Sequence, residues 1–231
     1  MHCSVITLFP DLFQSAFSQS IIARALKQQL FTISYIQLRD FAHDSYGTVD
    51  DHPYGGGHGM ILRVDVVDAA IQYAKQSHPD THSTVILLDS TGESYTQKAA
   101  KELSQCSHII LLCGHYEGFD ERISQLVDRR ITIGDYILTG GEIPAMVLID
   151  SIVRLIPGVL RKNIATQDES FSENPNLLEY PQYTRPEIYN GQKVPDILLS
   201  GNHKEIEKWR KNEAVKKTAI SRPDLLKSMK Q

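Results

Sequence analysis

The sequence predicts an α/β fold in which a parallel sheet is covered by helices on both faces. Short apolar or β-branched runs alternate along the chain with stretches of helical periodicity, the pattern of strand–helix–strand units. The runs at 84–88 and 108–113 read as strands buried on both faces, as parallel strands are. At 231 residues, 41% hydrophobic and 23% charged, the chain is also long enough and ordinary enough in composition to bury a core without disulfides or metal.

The elements follow in order. Residues 4–9 are a strand closed by Pro10-Asp11, and Leu12, Phe13, Ala16, Ile21, Ile22, Ala25 and Leu26 follow at mostly helical spacing. Residues 30–38 form a second strand, 84–88 a third and 108–113 a fourth. Helices are expected at 64–76, 95–103 and 119–128, and an apolar helix at 143–156. Ligands of open α/β sheets sit at the carboxyl ends of the strands, so the loops after Leu88 and Cys113 are the first places to search. Past Leu160 the texture changes. Residues 161–176 are polar, lack an apolar period and read as a linker that is mobile until a ligand arrives. Residues 177–231 read as a small, mostly helical domain whose charged helix, 203–219, is broken by Arg222-Pro223. The organisation is therefore a sheet domain at 1–160, a linker at 161–176 and a helical domain at 177–231.

Several function classes are excluded. Cys3, Cys106 and Cys113 are odd in number and contain no C-x-x-C pair, which points to a reduced compartment and a cytoplasmic location. The first residues lack a basic segment and reach Asp11 before a signal-type apolar stretch could form. The longest apolar run, 143–149, is seven residues, against roughly 20 for a membrane span. No phosphate-binding P-loop, dinucleotide fingerprint, nucleophile elbow or H-E-x-x-H is present. None of the nine histidines pairs with another His or Cys at metal-ligand spacing, so no metal is expected. The net charge of −4 hides an asymmetry: 201–231 hold nine Lys/Arg against four Asp/Glu, a net +5 that leaves the first 200 residues at −9. A basic tail domain suits docking to a polyanion, though a solvated, ion-paired helix face has the same composition.

Glycine is what remains. Residues 53–60, Pro-Tyr-Gly-Gly-Gly-His-Gly-Met, place four glycines in five positions; such a loop admits close approach of a ligand or partner, and a flexible turn would look alike. Gly114-His115-Tyr116-Glu117-Gly118 follows the strand ending at Cys113, where an adenine or ribose could lie against backbone. Ile133-Gly134-Asp135-Tyr136-Ile137-Leu138-Thr139-Gly140-Gly141 leads into the apolar helix, whose start would offer free N–H groups and a positive dipole end; Ile137 and Leu138 could equally be core.

Taken together, 54–59, 112–122, 133–145 and Arg154-Leu-Ile-Pro-Gly158 resemble, in order and spacing, the bacterial tRNA (guanine-N(1)-)-methyltransferases of the SPOUT superfamily. Residues 178–186, 194–203 and Lys208-Trp209-Arg210 resemble the same family's carboxy-terminal domain, so the resemblance covers essentially the whole chain. It implies a deep trefoil knot, S-adenosylmethionine bound by the knot loops, tRNA as partner, and a homodimer with shared active sites. Carried over position by position, the cofactor residues are Leu88, Gly114, Tyr116, Glu117, Gly118, Ile133, Gly134, Asp135, Tyr136, Ile137, Leu138, Gly140 and Gly141. Gly55, Gly59, Tyr183, Arg185, Ser200 and Asn202 are expected to meet the substrate. The chain departs from the family at Asp89-Ser90-Thr91-Gly92, where Ser-Pro-Gln-Gly is usual, and at His58, where Pro is usual.

The implied reaction is methylation of guanine N(1) at tRNA position 37. That nitrogen carries a proton at neutral pH, so a base must remove it, and the charge that builds on the exocyclic oxygen calls for a cation. Arg154 matches the position assigned the second role. For the first, the family's Asp-Ser-Phe meets Asp168-Glu169-Ser170-Phe171 here. Alignment on Ser-Phe makes Glu169 the base; an insertion in the linker would make it Asp168. An RNA-binding protein that keeps the knot without catalysis is the alternative that the altered 89–91 loop would suit.

Overall fold

The computed structural model of the chain describes residues 1–160, 169–172 and 176–227. The chain divides into two compact units, Met1–Arg161 and Lys162–Gln231.

The first unit runs β1 (His2–Thr7), α1 (Leu12–Phe17), α2 (Ser20–Lys27), β2 (Thr32–Gln37), the two-residue strands β3 (Asp50–Asp51) and β4 (Ile61–Leu62), α3 (Val64–Gln76), β5 (Ser83–Ser94), α4 (Gln97–Leu103), β6 (His108–Cys113), β7 (Arg129–Thr132) and α5 (Glu142–Val153). Five strands make one parallel sheet in the order β2-β1-β6-β5-β7. Side chains alternate between its faces. Val5, Ile86, Ile109 and Leu111 face a core completed by Phe13, Phe17, Ala100, Leu148 and Ile152 from α1, α4 and α5. Ile6, Val85, Leu87, Ile110 and Leu112 face the opposite core, completed by Val66, Val67, Ala70 and Ile71 of α3. The central strand β6 is buried at all six positions, which is why it reads as an unbroken apolar run.

Five elements differ from expectation. The helix expected at 119–128 is a 3₁₀ turn, Glu121–Gln125, started by Asp120, whose carboxylate accepts from the Arg122 N–H at 2.9 Å. The stretch after it is β7, which sequence reading missed because two arginines open it. As the last strand of the sheet it tolerates them: Arg129 meets Glu93 and Glu102, and Arg130 meets Glu121 at 2.7 Å. The loop expected after Leu88 is instead a bulge inside one long strand, since Leu88 and Glu93 both pair with Ile131 and residues 89–92 are looped out. The helix expected over 143–156 ends at Val153, and residues 12–27 form two helices.

The second unit contains a hairpin, β8 (Ile188–Tyr189) and β9 (Gln192–Lys193), then α6 (Asp196–Leu199), α7 (His203–Ser221) and α8 (Pro223–Lys227). Asn202 starts α7 by accepting from the Glu205 N–H. Among the described residues no helix is long and apolar enough to cross a membrane.

Candidate active site

Two of the three glycine clusters, 114–118 and 133–141, meet at the carboxyl end of the sheet, around a cavity of about 280 Å³. Its wall includes Leu88, Gly114, Tyr116, Glu117, Gly118, Ile133, Gly134, Tyr136, Ile137, Leu138, Gly140 and Gly141. Of the thirteen residues expected to meet the cofactor, Asp135 alone is not part of that wall. Asp89, Ser90 and His115, inside the 88–92 and 114–118 loops expected to hold the cofactor, also line it, as do Thr139 and Pro144, which sequence reading left out. Thr139 stood inside 133–141, so for it the signal was present.

The glycines do different jobs. A side chain on Gly141 would put its Cβ 2.6 Å from Cys113 Cα and 2.7 Å from Gly114 N, so glycine here lets the start of α5 lie against the end of β6. The Gly141 N–H, expected to be free for a ligand, donates to the Gly114 carbonyl at 2.8 Å. Gly134, at φ +153°, is covered by the Tyr136 ring, whose hydroxyl donates to the Ile133 carbonyl at 3.2 Å. The 53–60 loop also reaches this end of the sheet: a Cβ on Gly59 would strike the Glu117 side chain, and the Glu117 N–H donates to the Met60 carbonyl. Gly55, at φ +86°, has open space around it.

Two polar groups at this end of the sheet stand out, one a buried carboxyl and the other a ring nitrogen of the cavity wall. Glu142, 4% exposed at the first turn of α5, accepts from the Thr7 hydroxyl at 2.7 Å, where the helix dipole also favours a carboxylate. Burial first, and the Glu142 carboxylate second, push the neighbouring Cys113 thiol well above its ordinary range, so Cys113 is inert core. The His115 Nδ1 is buried and has no hydrogen-bond partner among the described residues. Its ring packs edge-on against Phe9 and Tyr116. In the 89–92 bulge, the Asp89 carboxylate is held locally, accepting from the Thr91 N–H and hydroxyl, both at 2.6 Å.

Arg154 caps the far end of α5. Asp168 lies outside the described residues. In the second unit, Glu169 opens a turn in which its carbonyl accepts from the Ser172 N–H and hydroxyl, and the Ser170 hydroxyl accepts from the Glu179 N–H at 2.9 Å. Tyr183 meets Trp209, and the Arg210 guanidinium lies 4.7 Å over the Tyr180 ring. Ser200 and Asn202 have local uses, the first donating to the Ile197 carbonyl and the second capping α7. Arg185 lies in the segment before the β8–β9 hairpin.

The sequence pattern described as tRNA (Guanine-1)-methyltransferase TrmD matches residues 1–228. A tRNA (guanine-N(1)-)-methyltransferase of Dictyoglomus turgidum is 49% identical over 226 residues, covering 98% of this chain and 90% of its own. Its namesake in Geobacillus kaustophilus is 50% identical over 227 residues, with 98% and 91% covered. That of Ruminiclostridium cellulolyticum is 50% identical over 233 residues, with 99% and 97% covered. With the match running nearly end to end, the chain belongs to the tRNA (guanine-1)-methyltransferase family.

Proposed function

We propose that this protein methylates N(1) of guanine at position 37 of tRNA, in the cytoplasm, with S-adenosylmethionine as methyl donor. The observation that carries the reading is the family match over residues 1–228, in a chain two of whose glycine clusters line one cavity at the carboxyl end of a parallel sheet. The cavity fits the donor. Leu88, Ile131, Ile133, Leu138 and Pro144 offer apolar surface to a base and ribose, and His115 Nδ1, which has no hydrogen-bond partner among the described residues, offers a polar contact. We further propose that the segment leading to Gly141 passes through a trefoil knot, which accounts for backbone at Gly141 pressed against backbone at Cys113 and Gly114.

When bound, S-adenosylmethionine supplies a sulfonium-activated methyl group. The chain's part is to deprotonate guanine N(1), hold the base in line and stabilise charge on its exocyclic oxygen. Glu169 is the base and Arg154 the cation. The carboxy-terminal unit docks tRNA through α7, Tyr183, Arg185 and the Ser200–Asn202 loop, and the Gly55–Gly59 loop approaches the target nucleotide.

The helix α5 supports a homodimer with shared sites. Gly140, Gly141 and Pro144 line the cavity at its start, whereas Arg154 caps its other end, about 17 Å away at 1.5 Å per residue. An arginine cannot span that distance back along its own helix. On α5, Ile143 and Val147 are 54% and 41% exposed at i, i+4 spacing, an apolar stripe on one face of the helix. Two such helices packed antiparallel about a two-fold axis would cover both stripes and bring the partner subunit's Arg154 towards this cavity.

Mass spectrometry of tRNA digested after incubation with enzyme and donor tests the activity. One methyl group on guanine N(1) at position 37, lost when that guanine is replaced, is the expected result; no methyl group, or one elsewhere, refutes the reading.

A further inference from the structure

At the opposite end of the sheet from the cavity, the parallel register assembles a polar row. His2 opens β1 and pairs with Thr32 of β2 on one side and His108 of β6 on the other, and His108 pairs with Ser83 of β5. His78, just past the end of α3, covers both imidazoles, with ring centroids 3.9 Å from His2 and 4.7 Å from His108. One ring nitrogen of each of the three lies within 4.8 Å of the others. These residues are 2, 78 and 108 in the chain, a spacing that matches no metal motif.

We propose that His2, His78 and His108 form a binding site for one divalent transition-metal ion of the zinc class, separate from the methyl-transfer site. Three imidazoles with a fourth position open to water are a ligand set for such an ion. The surroundings supply what ligating histidines need on their other nitrogen, an acceptor for its N–H. His2 Nδ1 is 2.7 Å from the Thr32 hydroxyl, and His108 Nδ1 is 2.8 Å from that of Ser83. The two Nε2 atoms converge on a pair of serines, His2 on Ser34 at 3.0 Å and His108 on Ser4 at 2.9 Å. Ser4 and Ser34 lie 3.2 Å apart, so when both Nε2 atoms turn to an ion one of these hydroxyls can donate to the other.

The ring nitrogens of His78 hold no hydrogen bond among the described residues, so this ring can rotate to close the three nitrogens to the roughly 3.4 Å separations that tetrahedral bonds of about 2.05 Å require. Burial first, and the neighbouring histidines second, hold His2 at about 4, and burial does the same for His108. Both therefore present lone pairs at neutral pH. The chain's amino-terminal ammonium is the other charge facing His2.

The ion would tie together the starts of four strands and the end of α3, more than 15 Å from the carboxyl-end cavity given about 3.3 Å per residue along the six residues of β6. Its effect is therefore on stability and not on the chemical step. The test uses the full chain without a histidine tag, stripped with chelator and titrated with Co²⁺ by visible absorption and with Zn²⁺ by calorimetry. Expected are one ion per chain, a tetrahedral-type Co²⁺ spectrum, a higher melting temperature with Zn²⁺, and at least a tenfold loss of affinity in His78→Ala with S-adenosylmethionine binding unchanged. His78 is partly exposed on a loop, so this variant should fold; His2→Asn gives an independent second reading. Absence of saturable binding in the wild type, or binding unaltered in both variants, overturns the proposal.

Discussion

Replacing Gly141 by alanine tests whether the site depends on backbone-to-backbone packing between α5 and β6. The backbone itself would accept alanine, since φ is −84°. The obstacle is contact: the new Cβ would lie 2.6 Å from Cys113 Cα, 2.7 Å from Gly114 N and 3.0 Å from Cys113 C, all main-chain atoms at the end of a buried central strand. Relief to an ordinary contact of about 3.4 Å requires the start of α5 to retreat by roughly 0.8 Å. Overpacking of this kind costs about 1–3 kcal/mol. The 2.8 Å bond from the Gly141 N–H to the Gly114 carbonyl would lengthen past bonding range, adding about 1 kcal/mol. At about 2–4 °C per kcal/mol for a unit of this size, the melting temperature should fall by roughly 5–15 °C. The cavity should suffer more, because a displacement near 1 Å costs about 10²-fold where reacting groups must be held in line. Calorimetry with S-adenosylmethionine and single-turnover methylation measure this. Gly118→Ala is the control: nothing lies within 4 Å of its Cβ, but φ is +114°, so it should cost about 1–3 kcal/mol of backbone strain without moving α5. Wild-type melting, donor affinity and rate in Gly141→Ala would refute the packing argument.

Mixing Gly141→Ala protein with Arg154→Ala protein, each inactive alone, should restore about a quarter of wild-type activity if sites are shared, because each mixed dimer keeps one site with an intact cavity and an intact arginine; no restoration means that Arg154 serves its own chain. Glu169→Gln should lower the single-turnover rate by about 10²-fold or more with donor affinity little changed, and a near-normal rate would remove Glu169 as the base. In chelator, where His2 and His108 are held at about 4 against an unfolded value of 6.5, the unfolded chain binds protons that the fold refuses. Stability should therefore be full above pH 6.5 and decline as pH falls from there towards 4; a melting temperature flat over that range would contradict it. Replacing Lys208, Arg210 and Lys211 together by alanine should flatten the salt dependence of tRNA binding by up to about three units, with Lys208→Ala contributing more than Lys211→Ala, since Lys211 already meets Glu207 at 2.8 Å.

Much of the fold could be read from the sequence where one force dominated. The run 108–113 and the helical stretch 64–76 coincide with β6 and α3 because both are buried against a core that demands their period. The 119–128 segment misled because Ile123, Leu126 and Val127 satisfy helical spacing, while the Asp120 cap and the need to enter β7 hold the chain to one 3₁₀ turn. The strand β7 was hidden because Arg129 and Arg130 are stabilised by acids from 93, 102 and 121, partners that sequence spacing does not reveal.

The two ends of the sheet show why the cavity was legible and the histidine row was not. At the carboxyl ends, close approach of backbone requires the absence of a side chain, and glycine is the residue that supplies it, so Gly114, Gly134, Gly140 and Gly141 leave a trace in local sequence. What that trace does not disclose is which glycine faces a ligand: Gly141 is a packing contact whose N–H is already bonded. At the amino ends, His2, His78 and His108 are ordinary residues in three distant segments, brought together by parallel pairing of β1 with β6 and by the length of α3. No local pattern encodes such a meeting, because each histidine fits its own strand or loop and only the register of the sheet makes them neighbours. The same logic applies to α5. Its length, which the sequence overestimated, separates Gly141 from Arg154 by more than an arginine can span, so the proposed role of Arg154 at the cavity requires the proposed second copy of the chain, and the two proposals stand or fall together.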